Sequence, residues 1–178
     1  EEMENPFVDV PADEYYLEPV LWAVGKGITS GTSENTFSPC RIITRGQAVT
    51  FLWRAMGSPE PAMTINPFVD VTETDYYYKA VLWAAEKGIT AGVGDNRFAP
   101  SQECTRAQIL TFLWVAMDKP ASNVEVNFND VHEGDYYYNA VAWAYENGIT
   151  AGMGGGAFGV GILCTRAHVI TFLYRAAA

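Results

Sequence analysis

The chain has 178 residues and a formal net charge of −10; hydrophobic residues make up 49% of it and charged residues 18%. This length suits one compact domain or a few small repeats with a shared core, and the composition is typical of a globular protein. The acidic balance argues against a nucleic-acid-binding protein, which needs a basic surface to neutralise phosphates. No apolar run reaches the roughly 18 residues that span a bilayer, so we expect no membrane insertion. Without a charged-then-apolar leader, we expect either a cytosolic chain or a piece of a longer, processed protein.

A Phe-x-Asp-Val motif opens each of three copies of one pattern, at Phe7, Phe68 and Phe128. The copies are offset by 61 and then 60 residues, and the same offsets relate several Trp, Gly and Phe positions. Pro-containing segments at 57–67 and 118–127 lack periodic apolar residues, which predicts linkers. We therefore predict three repeats, with boundaries at 1–59, 60–120 and 121–178.

Each copy contains two segments with the apolar periodicity of a helix. In the second copy, residues 76–89 carry apolar side chains at helical spacing, and Gly88 supplies a C-terminal stop. An acidic segment at 72–75 precedes this helix, and we expect it to cap the helix. The second helix begins at a Thr-Arg pair. Because one helix-loop-helix unit cannot bury its own apolar stripe, we predict one all-α domain in which three units pack around one another.

The threonine of each Thr-Arg pair is predicted to cap its helix, its hydroxyl accepting a hydrogen bond from an unpaired backbone N–H. Gln47 and Gln108 follow their threonines by three residues and complete the Thr-x-x-Gln capping-box pattern. His168 holds this place in the third copy and is expected to fit the box poorly. The threonines concerned are Thr44, Thr105 and Thr165.

The arginine of each pair falls at the first helical position, where we expect it to be exposed and where a cation is unfavourable against the helix dipole. One interpretation is that each arginine and the free N–H groups bind an anion such as a carboxylate or phosphate. The other is a salt bridge to an acidic residue of the adjacent repeat, Asp70 or Asp130. The sequence leaves both open for Arg45, Arg106 and Arg166.

Three tryptophans, Trp22, Trp83 and Trp143, recur off the main apolar stripe of the first helix. Partly exposed rings at these positions would form platforms for a sugar face, but they would pack equally well against a neighbouring repeat. Cys104 and Cys164 hold a position that is Ile43 in the first copy, which favours buried free thiols there. A disulfide involving Cys40 is the alternative.

Catalytic and cofactor motifs are weak. The Gly-x-Gly-x-x-Gly run at 154–159 lies in a repeat loop rather than between a strand and a helix, so we predict no dinucleotide and no other cofactor. His132 and His168 occupy different repeat positions, and no spacing suggests a catalytic set, so we predict no enzyme activity. The acidic clusters lack the spacing of a calcium loop, and no cysteine spacing fits zinc, so we predict no metal site.

Over essentially its full length the chain resembles three tandem S-layer homology (SLH) domains. The resemblance rests on the Phe-x-Asp-Val motif, the Leu-Trp-Ala-Val-Gly-Lys-Gly-Ile-Thr-x-Gly segment, the Phe-x-Pro loop and the Thr-Arg helix, in that order. The family signature Ile-Thr-Arg-Ala-Glu has Gln or His here in place of its Glu. The third copy departs furthest, since its loop at 152–164 lacks the Phe-x-Pro proline.

The resemblance implies a pseudo-three-fold assembly around a central helical bundle, with ligand grooves between adjacent repeats. It implies that these grooves bind secondary cell-wall polysaccharide, anionic or pyruvylated, or another peptidoglycan-linked polymer. We expect Arg166 to contribute least, because its repeat carries the divergent loop and His168. The ligand-binding residues that the resemblance implies are Arg45, Arg106, Arg166, Trp22, Trp83, Trp143, Gly31, Gly92 and Gly152.

The predicted function is therefore the non-covalent anchoring of a secreted, larger bacterial surface protein to the cell wall. The alternative is a surface module that binds another protein or takes part in an S-layer lattice.

Overall fold

The computed structural model describes residues 3–178, and within this range the regular secondary structure is helical. The expected all-α class is confirmed, with isolated β-bridges but no sheet among the described residues. Two helices fall in each repeat. They are α1 Leu17–Gly25, α2 Arg45–Ala55, α3 Tyr78–Glu86, α4 Arg106–Ala116, α5 Tyr138–Glu146 and α6 Arg166–Ala176.

The Thr-Arg helices α2, α4 and α6 begin as the capping pattern predicts. In α2, the Thr44 hydroxyl accepts from the Gln47 N–H, and the Gln47 side chain accepts from the Thr44 N–H. In α6, His168 completes the same box, because its Nδ1 accepts from the Thr165 N–H at 3.4 Å. The prediction that His168 fits the box poorly is wrong, since a neutral imidazole nitrogen is a hydrogen-bond acceptor.

The first helix of each repeat begins without a side-chain cap, contrary to the role expected of the acidic segment. In the second repeat the N-cap residue is Tyr77, whose side chain makes no capping hydrogen bond. Asp75 instead closes a turn before the helix, accepting from the Thr72 N–H at 2.7 Å. Its carbonyl oxygen then accepts from the Tyr78 N–H. The acidic segment therefore fixes how the chain enters α3.

The helices pack between repeats. Helix α1 lies on α6, α3 on α2 and α5 on α4, and α2, α4 and α6 also contact one another in pairs. The core between them includes Phe37, Phe98 and Phe158, one from each repeat loop and all fully buried. Full burial of a side chain of this size contributes on the order of 1.5–3 kcal/mol. The loops are thus as much a part of the core as the helices.

A closed ring of backbone hydrogen bonds joins the three repeats just before the Thr-Arg helices. The Ile43 N–H donates to the Cys164 carbonyl oxygen, the Cys164 N–H to Cys104 and the Cys104 N–H to Ile43, at 2.9, 2.8 and 3.2 Å. All three cysteines are free, with Cys104 and Cys164 buried and Cys40 exposed, which confirms the free-thiol interpretation. Burial raises the pKa of Cys104 to about 11 and that of Cys164 to about 12, although Arg45 and Arg106 act to lower them.

Candidate functional site

The aspartate of each Phe-x-Asp-Val motif holds the loop that follows the first helix. Asp70 accepts from the backbone N–H groups of Phe98 and Ala99, both at 2.9 Å, and Asp9 and Asp130 hold their own loops in the same way. Burial acts to raise the pKa of Asp70, but these hydrogen bonds to the carboxylate keep it below its usual range. The carboxylates therefore fix the loops rather than pairing with the signature arginines.

The signature arginines each reach the loop of a different repeat. Arg45 donates from Nε to the carbonyl oxygen of Phe98 at 2.8 Å. Arg106 does the same to Phe158 at 3.2 Å, and Arg166 returns to Phe37 at 2.9 Å. The first repeat thus contacts the second, the second the third, and the third the first.

The guanidinium groups are buried between aromatic rings. The Arg45 guanidinium carbon lies 4.8 Å from the ring centre of Phe98 and 5.6 Å from that of Phe112, and the other two arginines lie between the equivalent rings. The three side chains are only 4–5% exposed. The prediction of exposed arginines is wrong, because each side chain extends beneath the loop of the next repeat.

The salt-bridge interpretation is also wrong for the described part of the chain. The ion pairs there are Lys79–Glu60 and His132–Asp135, and none involves a signature arginine. Burial without an ion-pairing carboxylate lowers the pKa of each guanidinium, and for Arg166, with Arg41 close by, to about 10. The cations are nevertheless retained at neutral pH.

The outer nitrogens of the three arginines have different hydrogen-bond partners. Nη2 of Arg45 donates to the Thr90 hydroxyl at 2.9 Å. For Arg106 the equivalent contact to Thr150 stretches to 3.5 Å. For Arg166, Nε is the only side-chain nitrogen with a hydrogen bond to the described residues. No fully buried side-chain nitrogen in the described chain lacks a partner, so the outer nitrogens of Arg166 are accessible to solvent.

The recurring glycines lie beside the same threonines, but their close approach is to the protein itself. The Gly92 N–H donates to the Thr90 hydroxyl at 3.0 Å, and its φ is +88°. A Cβ there would lie 2.4 Å from the carbonyl oxygen of Arg97 and 2.8 Å from the Phe68 ring. Gly31 and Gly152 have equivalent contacts. These positions therefore require glycine for folding, whether or not a ligand contacts them.

The tryptophans do not line the cavities beside the signature arginines. Trp83 and Trp143 are buried, at 3% and 5% exposure, because both rings belong to the hydrophobic core. The expected partial exposure holds only for Trp22, which meets the Tyr174 ring edge-on at 5.6 Å. Trp22 lines a separate cleft of about 720 Å³ beside α1, whose lining contains no arginine, and also a cavity of about 420 Å³ that it shares with Arg54.

Two cavities lie beside signature arginines. The Arg106 groove, of about 340 Å³, is lined by Arg106, Tyr15, Thr150, Gly152, His168, Arg175 and neighbouring residues. The Arg166 groove, of about 290 Å³, is lined by Arg166, Tyr76, Thr29, Gly31, Arg41, Arg54 and neighbours. Each groove gathers side chains from all three repeats.

Sequence reasoning missed several of these lining residues. Tyr15 and Tyr76 are 54% and 61% exposed, so the aromatic rings at the groove rims are tyrosines rather than tryptophans. Arg54 and Arg175 occupy equivalent repeat positions and donate to the equivalent carbonyls of Ile28 and Ile149. The repeat offset in the sequence would have identified these two arginines as equivalent to each other.

The remaining motifs form no further site. The glycine run at 154–159 lies in the loop beside the Arg106 groove and includes turns, not a strand-to-helix junction. Among residues 3–178 no three His, Cys, Asp or Glu side chains come together as a metal-binding group. Within the same range no helix is both long and apolar enough to cross a bilayer.

Comparison with known proteins gives the family. The S-layer homology domain matches at residues 6–49, 67–110 and 127–170, which together make up more than half of the chain. A cell surface protein of Thermoanaerobacter kivui is 28% identical over 84% of the chain, and the S-layer protein sap of Bacillus anthracis is 26% identical over 83%. An endoglucanase of Bacillus sp. (strain KSM-635) is 33% identical over 58%. The chain spans 18%, 18% and 11% of the lengths of these relatives. With three matched segments in tandem, the chain belongs to the S-layer homology domain family.

Proposed function

We propose that this chain is a non-catalytic module that anchors a larger surface protein to the bacterial cell wall. The ligand is a secondary cell-wall polysaccharide or another peptidoglycan-linked polymer, bound without a covalent bond, a cofactor or a metal. Relatives named as cell surface and S-layer proteins support the location, and the endoglucanase supports an accessory role beside a separate catalytic domain.

We also propose that the three repeats form a pseudo-three-fold assembly around a central bundle of α2, α4 and α6. The closed hydrogen-bond ring through Ile43, Cys104 and Cys164 supports this arrangement. The arginine contacts support it as well, since each repeat uses the same nitrogen to hold the same loop position of the next. Such an assembly places three related grooves around one axis.

The observation that carries the proposed ligand class is the cationic lining of grooves in an acidic chain. The formal net charge is −10, yet the Arg106 and Arg166 grooves contain arginines and no Asp or Glu among their described lining residues. A carboxylate or phosphate on the polymer would pair with such a site by charge-assisted hydrogen bonds. An anionic, for instance pyruvylated, polysaccharide is therefore the proposed ligand.

Within the grooves, the proposed direct ligand-binding residues are the signature arginines with the glycines of the facing loops. These are Arg106 with Gly152, Arg166 with Gly31 and Arg45 with Gly92. Trp22 would contact polymer from its separate cleft. Trp83 and Trp143 would act indirectly, as core residues that support the loops, because their buried rings leave little surface for a sugar to contact.

Binding to purified cell-wall sacculi tests the proposal. The chain should co-sediment with native sacculi and should be released when the secondary polymer is chemically removed. Unchanged retention after polymer removal would point instead to peptidoglycan or a wall protein as the partner. A lack of retention on native sacculi would contradict wall anchoring.

A further inference from the structure

The surroundings of the three signature arginines differ at two positions where the repeat offset makes the comparison direct. The first position lies in the last turn of the Thr-Arg helix. In the first, second and third repeats it is Arg54, Val115 and Arg175. The second position is Arg41, Gln102 and Ile162 in the same order. Its carbonyl oxygen accepts from the backbone N–H of a signature arginine in another repeat. Counting the signature arginine and these two positions, the Arg166 groove contains three arginines and the Arg106 groove contains two. Arg45 has no other arginine at the two equivalent positions.

The Arg166 groove also contains the signature guanidinium with the fewest hydrogen bonds to the protein. Its signature arginine is 4% exposed, yet Nη1 and Nη2 make no hydrogen bond to the described residues. The equivalent Nη2 of Arg45 is already satisfied by Thr90 at 2.9 Å. A guanidinium whose stem is buried and whose outer nitrogens reach solvent at a cavity can donate to an acceptor group of a ligand that enters the cavity.

The nearest carboxylate forms no ion pair with Arg166. Asp9 is close enough to stabilise the Arg166 cation, but its two oxygens accept from the backbone N–H groups of Phe37 and Ser38. Arg41 acts in the opposite sense and adds to the local positive charge. A ligand carboxylate would neutralise this cluster without displacing a protein ion pair.

The size and rim of the groove limit what it can bind. A cavity of about 290 Å³ lies just below the range of about 300–1,000 Å³ for small-ligand sites. It therefore suits one substituted sugar unit better than a long stretch of polymer. Tyr76 at the rim exposes 61% of its surface, and a tyrosine ring provides an apolar face for such a unit.

We propose that the Arg166 groove is the principal site of this chain for a carboxylate-bearing sugar unit, with Arg41 and Arg54 as the residues that set its preference over the other grooves. The Arg106 groove is a weaker second site, and the surroundings of Arg45 make little contribution. This inference rests on the proposed wall-polymer function and reverses the order expected from the divergence of the third repeat.

The test measures, by titration calorimetry, the binding of a methyl hexoside with a 4,6-linked pyruvate ketal to the full chain. The matched probe is its methyl ester, which has the same shape without the charge. Wild-type protein should bind the acid and should bind the ester at least about tenfold more weakly, as expected for loss of one charge-assisted hydrogen bond. Equal binding of acid and ester would overturn the inference.

Variants locate the site. Arg41→Gln and Arg54→Gln should each weaken acid binding about tenfold, whereas Arg175→Gln should weaken it less and the exposed control Arg97→Gln should not change it. Arg54 also donates to the Ile28 carbonyl oxygen, so Arg54→Lys is included to retain the charge, and it should recover most of the affinity. Melting of each variant distinguishes a binding loss from a folding loss, and Arg41, which is exposed, should show no folding loss.

The two levels of the proposal fail separately. An Arg175→Gln defect larger than that of Arg41→Gln, in protein that still binds sacculi, would overturn the order of the grooves and leave wall anchoring intact. If the protein does not bind sacculi but binds the acid probe, and Arg41→Gln weakens that binding, the wall-anchoring function is overturned and the proposed ligand site is supported.

Discussion

Arg166 donates from Nε to the carbonyl oxygen of Phe37 at 2.9 Å, across 129 positions of sequence. This bond ties the last helix to the loop of the first repeat, so that the chain of contacts between repeats closes on itself. Each loop phenylalanine is held from one side by an arginine of another repeat and from the other by its own aspartate. Stability should therefore belong to the three repeats together.

The first prediction is that a fragment of residues 1–59 does not fold on its own. It would keep the Asp9 contacts to its loop but lose Arg166 over Phe37, and Arg45 would have no loop to hold. The exposed apolar faces of α1 and α2 would then lack their partners α6 and α3. Circular dichroism should show no cooperative thermal transition for the fragment, in contrast to the full chain. A sharp transition in the fragment would refute the shared core.

The second prediction is that Arg45→Ala destabilises the fold. The change removes the hydrogen bonds to Phe98 and Thr90 and the stacking on two rings, and it leaves buried acceptors unpaired. We expect a loss of about 2–4 kcal/mol in the free energy of unfolding, measured by urea denaturation. The exposed Arg97→Ala should stay within about 0.5 kcal/mol of wild type. Equal stability of Arg45→Ala and wild type would mean that the buried contacts are not stabilising.

The helices and their caps were predictable because their causes are local. The apolar period, Thr44 as N-cap and Gln47 as its partner all lie within one turn or a few turns of sequence. The partner of each arginine was not predictable in this way, since Arg45 and Phe98 are 53 positions apart. Of the expectations for a helix N-terminus, the exposure of the arginines and the salt bridge are both wrong, and anion binding stays a prediction.

The ranking of grooves from sequence rested on an assumption that the observed contacts do not support. It assumed that an arginine and the loop of its own repeat form one groove, which made the third repeat the weakest. In the structure Arg166 lies under the ordinary loop of the first repeat, and the divergent loop at 152–164 lies over Arg106. The burial of the tryptophans was unpredictable for the same reason. The helical period places Trp83 on one face of its helix but does not indicate which neighbouring element covers that face.

The third prediction concerns acid sensitivity at His168. Its Nδ1 accepts from the Thr165 N–H only when neutral, and burial, with a further contribution from Arg106, lowers the pKa of the imidazole. The unfolded chain binds this proton near the ordinary pKa of about 6.5. The stabilising contribution is therefore complete above about pH 6.5 and declines as the pH falls through the lower folded value.

His168→Gln should retain the capping box, as Gln47 and Gln108 do, and should remove this titration. Between pH 7.5 and pH 5 wild type should lose up to about 1 kcal/mol more stability than the variant, the usual size of a capping contribution. His132→Gln is the control: its contact with Asp135 is solvent-exposed and should contribute little, so this variant should follow wild type. Identical pH profiles for wild type and His168→Gln would show that the protonation of His168 does not limit stability.

The fourth prediction is that the native protein has one reactive thiol. Cys40 is exposed, whereas Cys104 and Cys164 are buried with pKa values raised to about 11 and about 12. At pH 8 a thiol with a pKa near 11 is ionised in only about one molecule in a thousand, and the thiolate is the reactive form. Iodoacetamide should therefore modify one site per native chain and three after denaturation. Rapid modification of Cys40→Ser under native conditions would contradict the buried assignment.

The last prediction separates two roles of glycine within one loop. Gly92 and Gly94 both have positive φ, at +88° and +105°, so alanine meets a similar backbone penalty of about 1–2 kcal/mol at either position. At Gly94 the added Cβ has no heavy atom within 4 Å, whereas at Gly92 it would meet the Arg97 carbonyl oxygen at 2.4 Å and the Phe68 ring at 2.8 Å. The loop cannot yield easily there, because Asp70 holds the two residues that follow Arg97.

Gly92→Ala should therefore lose more stability than Gly94→Ala by about 1–3 kcal/mol, the typical cost of overpacking. The measurement is urea denaturation of both variants beside wild type, with the slope of each transition compared to verify that the same structure unfolds. Since Phe68 and the Arg97 carbonyl oxygen belong to the protein, the difference should persist without any wall polymer present. If both alanine variants lose the same stability, backbone conformation alone explains why glycine recurs at Gly31, Gly92 and Gly152, and the close contact at Gly92 is not needed to account for it.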